Sequence, residues 1–296
     1  MALSEAGQRA ARRPSAAHAD TPVGRAPRVS ALSAMIIVSL LVALTEGGCG
    51  VREREPLLLL LTADALRADH VGAFGGPADL TPNLDAFLAD SQRFERAYST
   101  ATCTLPSMSA LMTGRFPEEL GMLNNGSLLS SKFVTLAGVL RQKGWRSGAV
   151  VSIYSLSGNS GIYRGFDFRD TELPIKGIHP VLRDIAERDA TSTTDAALAM
   201  IDRLESARRR GRRGVFLWVH YQEPHGPYVP PDGMRERFLE RARRDPLGNP
   251  TLEKASDLGL GSIPGYQYIS GEHEAAFYRA GYDGEVVYLD AEIGRL

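Results

Sequence analysis

The stretch Leu57–Gly72, LLLLLTADALRADHVG, carries the pattern that decides the fold. Five consecutive leucines end abruptly at Thr62, which is typical of a strand buried on both faces in the middle of a sheet. Ligands of open parallel sheets bind beyond the carboxyl ends of the strands, so Asp64 is placed to hold a cation or a substrate. Asp64 could equally cap a helix that begins at Ala65.

Helices and strands are predicted to alternate along the rest of the chain. Segment 230–271, rich in charge, Gly and Pro, is predicted to leave the sheet. The alternation predicts an α/β fold with a doubly wound, mainly parallel sheet flanked by helices. Apolar spacing predicts strands at 57–61, 94–99, 145–152 and 214–220, and helices at 81–90, 107–113, 134–143, 189–210 and from about 274.

The composition is that of a globular protein without a charge bias. The 296 residues are 43% hydrophobic, which is enough for one large or two small domains with a core. Because 34 Lys and Arg face 35 Asp and Glu, the net charge of −1 predicts no nucleic-acid partner. Two cysteines, Cys49 and Cys103, indicate neither a disulfide framework nor a zinc site.

Residues 1–50 are predicted to form an export leader that precedes a folded domain at 51–296. Arg25 and Arg28 precede an apolar run at 29–44, and Gly47-Gly48-Cys49 follows it, which is the order of an export signal. Cys49 is similar to a bacterial lipoprotein cleavage site, and an uncleaved N-terminal membrane anchor is the alternative. Both interpretations predict an exported protein, periplasmic or at the outer surface, anchored in the membrane by its N-terminal segment.

Two further motifs carry side chains suited to chemistry. Thr104-Leu105-Pro106-Ser107 precedes a helix that ends at Gly114, so Thr104 lies at a helix N-terminus, where free backbone donors favour anions. The predicted strand 214–220 continues into a loop, 220–228, that contains Pro224-His225-Gly226-Pro227-Tyr228. Taken alone, Thr104 could be a helix cap and His225 a loop-packing residue.

Taken in order, these motifs resemble the sulfatase family of the alkaline-phosphatase superfamily over most of 57–296. The pieces that carry the resemblance are DALRADHVG at 64–72, TPNLD at 81–85, TLPS at 104–107 with LMTGR at 111–115, PHGPY at 224–228, and the segment 282–296. The resemblance implies metal-dependent cleavage of a sulfate or phosphate ester, on either a small molecule or a glycan.

The resemblance also implies a role for three residues. Asp64 would bind the metal, Thr104 would be the nucleophile and a second metal contact, and His225 would contact the ester oxygens or assist the leaving group. Oxygen ligands favour Ca²⁺ or Mg²⁺, with Zn²⁺ or Mn²⁺ as alternatives if a histidine joins them.

The nucleophile position departs from the family pattern. Typical sulfatases convert a cysteine or serine there into formylglycine, and Thr104 cannot yield that aldehyde, so no formylglycine is expected. Cys103 lies one residue too early and is interpreted as a small buried residue. The related phosphoethanolamine transferases use a threonine nucleophile, which makes phosphoryl transfer an alternative.

Other departures weaken the expected site. Met108 and Leu120 stand where relatives have polar residues, Ala65 replaces a second aspartate, and Ile153 lies where relatives bring a lysine or asparagine to the substrate. The family's remaining metal-binding pair, Asp-His or Asp-Asn, does not occur after Asp283. We therefore expect the domain to be truncated at its C-terminal end, with little activity as given.

The sequence leaves three interpretations open. The first is a sulfuric-ester hydrolase, and the second is a phosphoester hydrolase or a phosphoryl or phosphoethanolamine transferase with a threonine nucleophile. The third is a degenerate or truncated relative without catalytic activity.

Overall fold

Four parallel strands form the sheet, in the order β1-β4-β2-β3. The structure, a computed structural model, describes residues 56–174, 187–208, 213–253 and 263–296. The strands are β1 (Leu57–Ala63), β2 (Arg146–Val151), β3 (Phe168–Asp170) and β4 (Val215–Tyr221). The predicted parallel α/β sheet is confirmed.

The five predicted helices lie close to their predicted positions, and the described residues contain three further helices that were not predicted, at Pro117–Leu120, Tyr154–Ser157 and Met234–Arg243. Thr81 precedes a proline at the first helical position of α1, and Gly114, in the left-handed conformation, ends α2. The bounds are α1 (Pro82–Ala89), α2 (Thr104–Thr113), α3 (Pro117–Leu120), α4 (Leu136–Gln142), α5 (Tyr154–Ser157), α6 (Ala190–Arg208), α7 (Met234–Arg243) and α8 (Ala275–Arg295). Short 3-10 turns occur at Ala68–His70, Gly72–Phe74 and Gly265–Gln267.

Helices cover both faces of the sheet because alternate side chains of β4 point in opposite directions. Phe216 and Trp218 pack on one face with Leu105 and Met112 of α2. On the other face β4 packs against α6 and against Leu289 of α8. All seven residues of β4 are buried, so this strand is the centre of the doubly wound core.

The first strand lies at the edge of the described sheet, so the prediction that it is buried on both faces is wrong. Within the described residues β1 pairs with β4 alone. Leu57, Leu58 and Leu59 are 46%, 40% and 36% exposed. An unbroken apolar run has the same pattern at an edge and at the centre of a sheet, so it could not distinguish the two.

A second strand prediction is also wrong. Segment 94–99 forms no strand, and Phe94 and Tyr98 are largely exposed. Alternating residues form a strand only where a partner strand is present. Segment 230–271 contributes no strand to the sheet among its described residues, as predicted. It contains α7, which was not predicted because its charged face obscured the short apolar face where Phe238 and Ala242 pack against α8.

The long helix α8 holds the segments that follow β1. The Tyr282 hydroxyl donates to Ala65 O at 2.9 Å and accepts from Arg67 N–H at 2.8 Å. Asp290 accepts from the backbone N–H groups of Asn83 and Leu84 at the start of α1. These contacts fix the loop that carries Asp64 against a buried helix.

The predicted leader, 1–50, and the membrane anchor within it lie outside the described residues. Of the helices in the described part of the chain, none has both the length and the apolar character needed to span a bilayer. Export and anchoring therefore stay predictions.

Candidate active site at the carboxyl edge of the sheet

Asp64 follows the last residue of β1 and does not cap a helix. Ala65 has a positive φ of 60°, which is unfavourable for a residue with a Cβ and turns the chain away from the sheet. The next helical residues form the 3-10 turn Ala68–His70, whose N-cap is Arg67. The capping interpretation of Asp64 is therefore wrong, and its carboxylate lies at the carboxyl edge of the sheet.

Thr104 contacts Asp64 directly although forty positions separate them in the chain. Its hydroxyl donates to Asp64 Oδ2 at 2.8 Å. Thr104 is the first residue of α2, whose N-cap is Cys103, and no side-chain bond caps this helix. The structure thus brings together the two residues predicted to share a cation, and the helix-cap interpretation of Thr104 is wrong.

The helix N-terminus behind Thr104 offers fewer free donors than the sequence predicts. Leu105 N–H donates to Asn125 Oδ1 at 3.0 Å, and Pro106 has no N–H to give. Ser107 N–H donates to Cys103 O within the first turn. Stabilisation of an anion at this end of α2 would therefore rest on the helix dipole more than on unpaired N–H groups.

His225 lies in the loop after β4 and lines the same cleft as Thr104. Its Nδ1 is 2.7 Å from Gly226 O, and because a carbonyl can only accept, Nδ1 carries the proton. The ring stacks on Tyr266 at 5.7 Å with an interplanar angle of 19°. These two contacts fix the ring and leave Nε2 for a ligand.

The cleft next to Thr104 has a volume of about 940 Å³ and a lining that is part polar and part apolar. Amide and hydroxyl side chains supply many of its polar groups, together with the carboxylate of Glu187. The residues concerned are Thr104, Asn125, Ser127, Ser155, Ser157, Asn159 and Ser160. Such a lining suits a ligand that carries hydroxyl groups.

His220 is a site residue that the sequence analysis missed. It is only 1% exposed, and its Nε2 lies 3.5 Å from Asp64 Oδ2. Its Nδ1 lies 2.8 Å from Thr62 Oγ1. The parallel register pairs Thr62 with His220, which places the ring beside the residue that follows β1. Polar residues that end adjacent parallel strands are the sequence signal that could have identified it.

These neighbours hold Asp64 in its charged form. Burial on its own would raise the pKa of Asp64, but the contacts with His220, the charge of His225 and the Thr104 hydrogen bond outweigh it. The net effect lowers the pKa below its ordinary value. The carboxylate is therefore ionised at neutral pH, as a metal ligand must be.

The donor set at this edge fits part of the coordination shell of a hard cation. Asp64 and Thr104 supply oxygen atoms of the kind that Ca²⁺ and Mg²⁺ prefer. Among the described residues, no group of three or more His, Cys, Asp or Glu side chains is arranged to hold a metal ion. Asp64 and Thr104 are thus the residues of this part of the chain that would hold a cation.

Two of the residues that depart from the family pattern lie in or against the core, and a third lines the cleft. Leu120 is buried in the core, and Met108 packs against it from the edge. Ile153 is 6% exposed and lines the cleft, where it gives an apolar wall. Cys103 is a free cysteine of intermediate exposure, so its predicted burial is only partial.

Comparison with known proteins places these residues in a family context. A sequence model of the family described as Sulfatase matches residues 56–296. Arylsulfatase A of Homo sapiens is 37% identical over 116 residues, which cover 37% of this chain and 22% of the relative. N-acetylglucosamine-6-O-sulfatase of Bacteroides thetaiotaomicron is 23% identical over 204 residues, 64% of this chain and 35% of the relative.

A solved structure shows the same fold. Phosphonate monoester hydrolase of Agrobacterium radiobacter superposes with a TM-score of 0.59 at 22% sequence identity. The superposition covers 81% of this chain and 58% of that one. This chain thus spans about three-fifths of the solved structure, and its matches to the two curated relatives span about a fifth and a third of their lengths.

Proposed function

This chain belongs to the sulfatase family, and we propose that it takes part in metal-dependent hydrolysis of a sulfuric ester with Thr104 as nucleophile. The observation that carries the proposal is the 2.8 Å hydrogen bond from the Thr104 hydroxyl to Asp64, beside a cleft that His225 also lines. A partly buried, ionised carboxylate next to an oxygen nucleophile is the arrangement that ester cleavage at a cation requires.

In the proposed reaction Thr104 Oγ1 attacks sulfur and the bond from sulfur to the ester oxygen breaks. Asp64 is a poor base because its pKa is lowered, so the Thr104 proton leaves to solvent. A divalent cation, when bound, would supply charge neutralisation and a lower pKa for the hydroxyl. Water then attacks sulfur, which releases sulfate and restores the Thr104 hydroxyl.

His225 is proposed to protonate the leaving oxygen. Its Nδ1–H is engaged with Gly226 O, so Nε2 is the nitrogen available to the ester. In the protonated ring Nε2–H would donate to the oxygen that carries developing negative charge. Stacking on Tyr266 would hold that donor in one orientation.

A second candidate function is hydrolysis or transfer of a phosphoryl group, and Thr104 itself favours it. Threonine at this position cannot be converted into formylglycine. A reaction that uses the Thr104 hydroxyl itself as nucleophile can also act on a phosphate ester. The structural likeness to a phosphonate monoester hydrolase is compatible with this alternative. Sulfuric-ester hydrolysis remains the first choice because the family match and the curated relatives are sulfatases.

The proposed substrate is a small-molecule or glycan ester. Hydroxyl and amide groups line the cleft, and one relative is named for its action on an N-acetylglucosamine sulfate. We also propose export and membrane anchoring through residues 1–50. This part of the proposal rests on the leader sequence alone.

The test is a comparison of kcat/KM for a chromogenic aryl sulfate and the matching aryl phosphate, with and without a metal chelator. We expect release from the aryl sulfate that exceeds release from the aryl phosphate and is lost on chelation. Preference for the phosphate would favour the second function. Failure of the folded protein to cleave either ester at added Ca²⁺, Mg²⁺, Mn²⁺ or Zn²⁺ would contradict both.

A further inference from the structure

His220 is a buried titratable side chain beside Asp64 to which the proposed reaction assigns no role. It is 1% exposed, and Thr62 of β1 and Val151 of β2 are its neighbours in the sheet. Its Nε2 atom is buried without a hydrogen-bond partner at normal distance in the described structure. The nearest acceptor is Asp64 Oδ2, at 3.5 Å.

The hydrogen bonds of Thr62 leave two arrangements for the proton of a neutral His220 ring. Trp218 Nε1 can only donate, and it donates to Thr62 Oγ1 at 3.0 Å. The Thr62 hydroxyl proton can go to His220 Nδ1 at 2.8 Å or to Val219 O at 3.3 Å. The first choice places the ring proton on Nε2, whereas the second places it on Nδ1.

Asp64 decides between these two arrangements. A neutral ring with its proton on Nδ1 would turn the Nε2 lone pair toward the carboxylate, which is repulsive in a buried site. A ring with its proton on Nε2 points a donor at Asp64 Oδ2 instead. Electrostatics therefore favour a chain of contacts in which Thr62 donates to His220 Nδ1 and His220 Nε2–H faces Asp64.

Both donors converge on one oxygen of Asp64. Thr104 and His220 approach Oδ2. For Oδ1, by contrast, the structure gives no hydrogen-bond partner within the described residues. A carboxylate held at one oxygen presents the other in a fixed direction, and hydrogen bonds to metal ligands orient those ligands in the same way.

From this geometry we propose that His220 is a positioning residue: it holds Asp64 through Oδ2 and turns Oδ1 toward the cation. The inference rests on the proposed function, because it assumes that a cation binds at Asp64. His220 itself is proposed to touch neither cation nor ester, since its side chain is buried and does not line the cleft.

The first experiment measures the tautomer of His220 in the metal-free protein by ¹⁵N–¹H correlation NMR. We expect a neutral ring, or a protonated one, with hydrogen on Nε2. A neutral ring with hydrogen on Nδ1 alone would overturn the inference whether or not the protein binds a metal. Loss of the Nε2 proton on addition of Mg²⁺ or Ca²⁺ would also overturn it, because His220 would then be a ligand.

The second experiment measures the affinity for Mg²⁺ and Ca²⁺ by titration calorimetry. We expect His220→Phe, which fills the site without a donor, to bind the cation about 10-fold to 100-fold more weakly than the native protein. His220→Gln, which can place an amide N–H near the position of Nε2, should retain most of the affinity.

Tyr221→Phe is the matched control for the stability of the strand. It removes the Tyr221 hydroxyl, which lies 2.8 Å from Thr194 Oγ1 and belongs to the cluster on the other face of the sheet, next to His220 in β4 but outside the chain of contacts through Thr62. It should lower the free energy of unfolding and leave the cation affinity unchanged. Equal affinities of His220→Phe and the native protein would refute the inference, whereas a native protein that binds no cation would refute the proposed function.

Discussion

Removal of the Tyr282 hydroxyl should loosen the loop that carries Asp64. In Tyr282→Phe the ring keeps its edge contacts with His70 at 4.8 Å and Tyr228 at 5.4 Å, so no cavity forms. Only the hydroxyl is lost, and with it the acceptor for Arg67 N–H and the donor to Ala65 O. The substitution therefore tests two hydrogen bonds alone.

The exposure of the loop limits the size of the effect. Two backbone groups left unsatisfied in a dry interior would cost about 1–3 kcal/mol each. Ala65 and Arg67 are exposed residues, so water can replace much of what is lost. We expect a decrease of about 1–2 kcal/mol in the free energy of unfolding, together with weaker cation binding because the strained Ala65 is no longer held.

Urea denaturation followed by circular dichroism measures this change, with an unchanged m-value as the sign that the folded state is intact. Tyr98→Phe is the matched control, because Tyr98 is 84% exposed, and it should change stability by less than about 0.5 kcal/mol. If Tyr282→Phe unfolds at the same urea concentration as the control, the two hydrogen bonds of the Tyr282 hydroxyl contribute nothing to stability, and the prediction is refuted.

Two further predictions concern the elements around the site. Asp290 of α8 is 3% exposed and accepts from Asn83 N–H, Asn83 Nδ2–H and Leu84 N–H, so Asp290→Ala should lower the free energy of unfolding by about 2–5 kcal/mol. Asp90→Ala, at the exposed C-terminal end of α1, should have little effect in urea denaturation, and similar losses for the two variants would contradict the assignment. Burial raises the pKa of Tyr221 to about 12, so the folded protein keeps a proton that the unfolded chain loses near pH 10. The contribution of Tyr221 to the free energy of unfolding is fully present below about pH 10 and is lost as the pH rises toward 12. Over that range the native protein should lose about 2–3 kcal/mol more than Tyr221→Phe. Parallel pH profiles of the two proteins would refute this prediction.

Local sequence patterns predicted the ends of α2 and the burial of β4, because these features depend on residues that are close together in the chain. Helix α2 begins at Thr104 and ends at Gly114 because a positive φ is needed there, and β4 is buried as its apolar run indicates. The order of motifs also placed Asp64 and Thr104 in one site, and the structure brings them within hydrogen-bond distance. Their roles in binding and catalysis remain predictions.

Features that depend on partners distant in the chain could not be predicted. The leucines of β1 could not show that the strand lies at an edge, because that depends on which strands pair with it. His220 reaches Asp64 only through the register between β1 and β4, and Tyr282 reaches Ala65 across 217 positions. The Tyr282 contact leaves no local pattern in the sequence, and the polar residues that end β1 and β4 identify His220 only once these two strands are known to be neighbours.

The central claim is that Thr104 is the nucleophile of an ester-cleaving site at Asp64. It is tested most directly by quenching the protein during turnover of an aryl sulfate and locating any transferred sulfuryl group by peptide mass spectrometry. The account predicts the group on Thr104, its absence in Thr104→Ala together with loss of turnover, and turnover retained in Thr104→Ser. Turnover by Thr104→Ala at the rate of the native protein would contradict the account.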